Sequence, residues 1–315
     1  MDILKDIVLP NGFLDDKRVM KREILYKGMN GREIERFFVN PSQSFVFKPL
    51  TNNSQMGKEN WIYENVLSAF PPFYPRILAK SLNSHNPNHN WIIYDDLGPL
   101  NHDFNEETAK GVVTYMAGWH RLSIDKLVHA PLKGPKPFIE EIALEVLRKK
   151  GEIERIQSDF DISNKLIDTV YSLLQKENFS KELVLSHGDL HLGNYAVSHG
   201  RIYIFDWEHT HLNSRFWDLF HLIDLSHPVF PKKLTSRIRE ELLDLYLIEM
   251  EPYGIKLDKS SFKREYYLFS SVFNLWMLLL IERDLKKDAG IWSKGQLENQ
   301  LNETILSLRD CAYHL

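Results

Sequence analysis

The sequence predicts an α+β fold in two lobes, a small β-rich lobe followed by a larger, mainly helical one. Three observations carry this expectation. The first hundred residues hold short β-branched and aromatic runs split by Gly, Asn, Pro and Ser clusters. Beyond Pro99 the apolar positions change to long helical periods, and one main β-like island, residues 186–209, interrupts them. A chain of 315 residues can bury a large core, and 43% hydrophobic with 26% charged residues is an ordinary globular composition.

In the first part EILYKG (23–28), ERFFV (35–39), SFVFKPL (44–50) and NWIIYDDLG (90–98) read as strands. One helix interrupts them over roughly 57–70, where Trp61, Ile62, Val66 and Leu67 recur at helical spacing and Pro71-Pro72 closes the segment. Helices are then expected over 106–122 after a cap at Asn105, and over 137–150, 162–175, 234–250 and 262–288. No repeat or low-complexity linker is visible, so the boundary is placed in the connection Asp95 to Pro99, giving lobes 1–96 and 97–315.

A formal charge of -4 offers no basis for nucleic-acid binding. The lone Cys311 excludes an internal disulfide and suits a reducing compartment. The start, MDILKDIVLPNG, has no basic segment leading into an apolar run, and the oiliest stretch, Tyr267 to Ile281, is shorter than a membrane span and broken by Ser270, Ser271 and Asn274. The expectation is a cytoplasmic protein without a membrane segment; its oligomeric state stays open.

The island SHGDLHLGNYAVSHGRIYIFDWEH (186–209) concentrates the chemistry. LVLS (183–186) reads as a short strand, and Gly188 and Gly193 argue against one helix through HGDLHLGN, so its histidines do not share a helix face. YAVS and RIYIFD read as two strands around His199-Gly200. A two-residue loop pairs Ser198 with Arg201 and, counting outward, sets Asn194 opposite Phe205, next to Asp206. Asp189 lies in the loop feeding that end. Two carboxylates and an amide oxygen suit Mg²⁺, a hard cation that takes oxygen ligands. Phosphoryl transfer uses such a set: one carboxylate for the accepting hydroxyl, and oxygen ligands for the metal that neutralises phosphate charge. A zinc reading takes His187, Asp189 and His191 as an H-x-D-x-H cluster, with His209 and His211 near in sequence, but leaves the Asn194 to Asp206 spacing unexplained. Singly, His187, His199, His209 and His211 read as satisfied structural histidines.

HGDLHLGN (187–194) followed by IFDWEH (204–209) resembles the aminoglycoside phosphotransferase and choline kinase family, phosphotransferases of the protein-kinase-like fold. The pattern H-G-D-x-x-x-x-N is complete, and His191 and Gly193 match its usual embellishment. Asp218, in FWDLFHL, falls where the family has an Asp-Leu pair that buttresses the catalytic loop, and YMAGWHRL (115–122) resembles its helix ending in Leu-His. The resemblance implies a nucleotide-binding lobe over 1–96, a catalytic and substrate-binding lobe over 97–315, and transfer of the γ-phosphoryl group of ATP or GTP to a small-molecule hydroxyl. An aminoglycoside, amino alcohol or sugar is the implied acceptor.

By the same resemblance Asp189 is the catalytic base or hydroxyl-orienting group, and Asn194 and Asp206 hold Mg²⁺. Lys48 contacts the α- and β-phosphates and Glu59 pairs with it, with Glu64 the competing choice. Within Tyr94 to Leu97, the Asp95 carbonyl and Leu97 amide meet the adenine. Gly31, with Gly28, forms a sparse phosphate-covering loop, and Pro49 shortens the strand that ends at Lys48. The acceptor is expected against helices within 105–180 and 232–290. There Glu240, Glu241, Asp244, Glu249 and Glu251 offer charge, while Tyr266, Tyr267, Phe269, Phe273 and Trp276 offer a cage for an ammonium but read more simply as core. Alternative readings are a catalytically weak or inactive binding or structural protein of the same fold, such as a coat component, and a zinc metallohydrolase.

Overall fold

The structure is a computed structural model that describes residues 4, 6–28, 30–83, 85–127, 130–132, 136–287 and 290–315. By internal packing the chain forms two compact units: Met1–Asn101 with Ala130–Gly134 and Tyr195–Thr210, and His102–His129 with Pro135–Asn194 and His211–Leu315.

The first unit is built on an antiparallel sheet of β1 (Lys21–Lys27), β2 (Glu33–Asn40), β3 (Gln43–Pro49), β4 (Ile77–Ser81) and β5 (Trp91–Asp95), in the order β1-β2-β3-β5-β4. Alternation along the strands sends Phe37, Phe47, Ala79, Trp91 and Ile93 into one core with Ile7 and Leu14. Burying each large side chain there is worth about 1.5–3 kcal/mol. Helix α1 (Lys58–Asn65) is shorter than its sequence pattern, because the chain tightens into a 3₁₀ turn over Leu67–Ala69 before Pro71-Pro72. Strand β4 was not anticipated: it follows Pro75 and is only five residues long. The hairpin of β6 (Tyr195–Ser198) and β7 (Arg201–Ile204) packs in this unit too, with Ile204 N–H donating to the Phe73 carbonyl at 2.8 Å and Trp207 fully buried against Phe73. Its ladder runs from Ser198↔Arg201, as the turn predicts, to Tyr195↔Ile204, and stops one pair short of Asn194 and Phe205.

The second unit is mainly helical. It holds α2 (Glu106–His120), α3 (Ile139–Arg148), α4 (Lys150–Asp159), α5 (Asn164–Lys176), α6 (Arg215–Ile223), α7 (Ser236–Met250), α8 (Lys259–Leu285) and α9 (Lys294–Tyr313). A two-stranded ladder joins β8 (Val184–Ser186) to β9 (His211–Asn213). Asn105 caps α2 by accepting from Glu107 and Thr108 N–H, and Asp258 caps α8 through Ser261 N–H. The expected end of that helix, residue 288, lies outside the described residues. Tyr266, Phe269 and Phe273 on α8 are core residues, at most 2% exposed, so they form no ammonium cage. Among the described residues no helix is long and apolar enough to cross a membrane.

Candidate functional site

In the first unit β3 delivers Lys48 into a buried cluster of carboxylates. The strand is not cut short at Lys48: pairing with β5 continues through Pro49↔Trp91, and β2 pairs no further than Phe47, so the missing proline N–H costs no ladder bond. Lys48 Nζ lies 2.6 Å from Glu59, 2.5 Å from Asp206 and 3.5 Å from Glu208. Glu59 is in the first turn of α1, whereas Glu64 turns to Lys80, so Glu59 is the α1 carboxylate beside Lys48. Burial opposes the charge on Lys48, but Asp206, Glu59 and Glu208 outweigh it and hold the ammonium well above the ordinary lysine range.

The Lys48 ammonium faces three carboxylates, and Lys58 adds an attraction to Glu208, so full ionisation leaves surplus negative charge. Burial, the largest influence, acts together with repulsion from Asp206 and Glu59 against the pull of Lys48 and pushes the Glu208 carboxyl up to about 7. Among the described residues, Glu59, Asp206 and Glu208 are the group of three acidic, histidine or cysteine side chains whose ligand atoms lie within 4.8 Å of one another. Hard oxygens and surplus negative charge fit a divalent cation such as Mg²⁺. The residues of H-x-D-x-H form no such group. Asp206 itself sits at φ 60°, a left-handed conformation that aspartate tolerates better than most side chains, and keeps its carboxylate one-third exposed.

The other first-unit candidates have local roles. The Asp95 carboxylate accepts from Arg76 N–H and Nε, and its own N–H donates to the Arg76 carbonyl. Asp96 does more than the sequence suggests: it accepts from Arg36 Nε at 2.7 Å, Ser44 Oγ at 2.6 Å and Gly98 N–H at 3.0 Å. The next residue, Leu97, offers its carbonyl to Ser198 Oγ. Gly31 lies at φ 81° in the β1–β2 turn, with its N–H on the Gly28 carbonyl at 2.9 Å.

In the second unit the loop 187–194 is hung from a buried anion. Asp218, on α6 and fully buried, accepts from Ser186 Oγ at 2.7 Å, His187 N–H at 2.8 Å, Gly188 N–H at 3.1 Å, Trp119 Nε1 at 3.2 Å and His120 Nε2 at 3.1 Å. Burial opposes its ionisation, but these donors win and hold the carboxyl far below the usual range. Burial also depresses His120; its neutral ring donates from Nε2 to Asp218 while Nδ1 meets the Tyr246 hydroxyl at 2.9 Å.

The loop folds back on itself beyond that anchor. Asn194 Nδ2 donates to the Asp189 carbonyl at 2.7 Å, which leaves Oδ1 as the acceptor atom that the amide can offer a cation. Asp189 is about one-fifth exposed, and Lys136 Nζ stands 3.1 Å from its Oδ1. His191 stacks on His227 with ring centroids 4.4 Å apart. Gly193 admits no side chain, since a Cβ would stand 2.5 Å from the Phe230 ring.

Lys48, Glu59 and Asp206 are therefore brought together in one unit, and Asp189 with Asn194 in the other. Sequence reasoning missed Glu208 and Lys136, and it named Asp96 within the Tyr94 to Leu97 segment without a role for its side chain. Glu208 was readable as the second acid of D-W-E, but Lys136 carries no motif. The acids on α7 are mostly paired with cations: Glu240 with Lys263, Glu241 with Lys110 and Arg237, Asp244 with Lys259 and Lys263.

The chain is similar to solved kinases over nearly its whole length. An AMP-bound spectinomycin phosphotransferase shares 15% identity over 92% of this chain and 93% of its own, with TM-score 0.60. An amicoumacin kinase in complex with AMP-PNP and Ca²⁺ shares 16% over 98% and 92%, with TM-score 0.60. A choline kinase from Cryptosporidium parvum Iowa II shares 14% over 98% and 93%, with TM-score 0.55. At these identities the likeness establishes a kinase-like α+β fold. No curated protein matches the sequence. The sequence pattern of the phosphotransferase enzyme family matches residues 91–254, more than half of the chain and all of the Asp189 loop. With the H-G-D-x-x-x-x-N loop anchored on Asp218, that match shows that the chain belongs to the phosphotransferase enzyme family.

Proposed function

We propose that the protein transfers the γ-phosphoryl group of ATP or GTP to a hydroxyl of a small molecule of the aminoglycoside, amino-alcohol or sugar kind. One observation carries the reading: an ionised, fully buried Asp218 holds the start of the loop while Asn194 clasps its middle, presenting a partly exposed Asp189 in a fixed position. Asp189 takes the proton of the acceptor hydroxyl as that oxygen bonds to the γ-phosphorus. The bond from phosphorus to the β–γ bridging oxygen breaks, its electron pair leaves with the nucleoside diphosphate, and the proton passes to solvent.

Lys48, steadied by Glu59, contacts the α- and β-phosphates, and the Asp95 carbonyl and Leu97 amide hold the adenine. Gly31 lies in the turn that covers the phosphates. Asn194 and Asp206 hold Mg²⁺, which when bound neutralises charge on the phosphates. In this reading 1–96 binds nucleotide and 97–315 supplies catalysis and the acceptor site. Nucleotide-bound neighbours, one with a divalent cation, support this use of cofactors. The lone buried Cys311 supports a cytoplasmic protein.

The test is a screen of aminoglycosides and hydroxyl-bearing metabolites as phosphate acceptors from Mg-ATP and Mg-GTP. Asp189→Ala is expected to lose about 10³-fold or more in turnover while retaining thermal stabilisation by Mg-AMP-PNP. Wild-type turnover in Asp189→Ala would sink the assignment, and no stabilisation by any metal-nucleotide would favour a non-catalytic binding role.

A further inference from the structure

Lys136 stands outside every motif, yet it makes the ion pair to the proposed base. Its Nζ is 3.1 Å from Asp189 Oδ1, and both side chains are only about one-quarter exposed. The other carboxylate oxygen, Oδ2, faces Asn194 Nδ2 at 3.3 Å and His191 Nε2 at 3.6 Å.

The backbone that follows this lysine is tied to its surroundings. In the sequence it is bracketed by prolines (P-K-P, 135–137), and a proline at 137 confines residue 136 to extended conformations. The Pro137 carbonyl accepts from the buried Asn213 Nδ2 at 3.4 Å, and Phe138 N–H donates to Glu141 Oε2 at 2.8 Å as α3 begins. A lysine serving only as a solvated surface charge would need none of this.

We propose that Lys136 is a second catalytic residue, the cation that meets the phosphoryl group as it is transferred beside Asp189. The inference rests on the reading of Asp189 given above. A hydroxyl bonded to Asp189 attacks a phosphorus about 3–3.5 Å beyond its own oxygen. An ammonium in contact with that carboxylate is within a short swing of the equatorial phosphoryl oxygens, where charge spreads in the transition state. It has three donors, so the contact to Asp189 leaves two for those oxygens. The long stem lets the head follow the group without moving the backbone.

The experiment compares Lys136→Ala, Lys136→Met and Lys136→Arg with wild type. Turnover of Mg-ATP is measured with water as acceptor and then with any acceptor that the screen returns. Both neutral variants should lose about 10²-fold in kcat, the usual cost of one transition-state donor, with KM for Mg-ATP and stabilisation by Mg-AMP-PNP close to wild type. Lys136→Arg should restore part of the loss. Neutral variants as fast as wild type, or faster because the ammonium merely blocks Asp189, would overturn the proposal. So would a loss confined to nucleotide binding or shared by Lys136→Arg in full. Asp189→Asn is run alongside: if it too is unaffected, the reading of Asp189 has failed, whereas loss in Asp189→Asn alone isolates the failure to Lys136.

Discussion

Asp218 and Glu208 are both buried carboxylates near functional residues, and their surroundings are opposite. Asp218 meets five donors, one of them the His120 imidazole, and it is held ionised far below the usual range. Glu208 shares the Lys48 ammonium with two other acids, and burial with their repulsion pushes it up to about 7. The first environment is complete without any ligand, as befits a support for a loop. The second carries surplus negative charge, which a bound cation relieves. Satisfaction of charge thus separates Asp218 from the cluster around Lys48, which we propose receives the cation.

The largest effect that would break this comparison is expected from Asp218→Ala. It leaves donors from Ser186, His187, Gly188, Trp119 and His120 without their acceptor. A loss of about 3–5 kcal/mol in urea unfolding is expected, with turnover falling alongside. A loss below about 1 kcal/mol would mean that the loop is held by something else.

The pH dependence of stability should show opposite signs at the two sites. The Asp218 pKa is depressed in the fold, so its contribution is complete above about pH 4 and is lost only as pH falls below that. Glu208 is raised, so its contribution is complete below about pH 4 and is lost as pH rises through about 7. Glu59 is raised in the same cluster, so Glu208→Gln should reduce the slope of the pH 4–7 part of the curve without abolishing it, while leaving the acid limb alone. An unchanged slope in urea melts at several pH values would remove Glu208 from the account.

The smallest effect sharpens the assignment inside α1. Glu59→Gln should abolish stabilisation by Mg-AMP-PNP, because Lys48 loses its buried partner. Glu64→Gln removes only the exposed pair with Lys80 and should change stability by no more than about 0.5 kcal/mol, leaving the nucleotide response intact. Thermal shifts of both variants with and without Mg-AMP-PNP decide the matter.

Much of this molecule is legible in its residues. Strands β1 to β3 and β5 follow from β-branched and aromatic runs, and α2, α5, α7 and α8 from helical periodicity within a few residues of their ends. Helix α9 was missed although Leu297, Leu301, Ile305 and Leu308 carry the right spacing, because charged and amide residues dilute the pattern. Helix α6 was missed for the opposite reason: nearly every residue is buried, so no polar face marks its period.

The sequence by itself determined the α+β class, the two-residue turn at His199-Gly200, and the loop with Asp189, Asn194 and its Asp218 support. The class and the turn are short-range patterns, the loop is a motif whose spacing carries the chemistry, and the Asp218 support came from the family resemblance. Only the tertiary structure decided that the Tyr195–Thr210 segment packs with the first hundred residues, that Lys48 meets Glu59 rather than Glu64, that Glu208 joins them, and that Lys136 reaches Asp189. The three ion pairs join residues from 11 to 160 positions apart through one or two side-chain atoms. Such contacts are selected by how whole elements pack and by where buried charge finds a counter-charge, neither of which leaves a periodic trace along the chain.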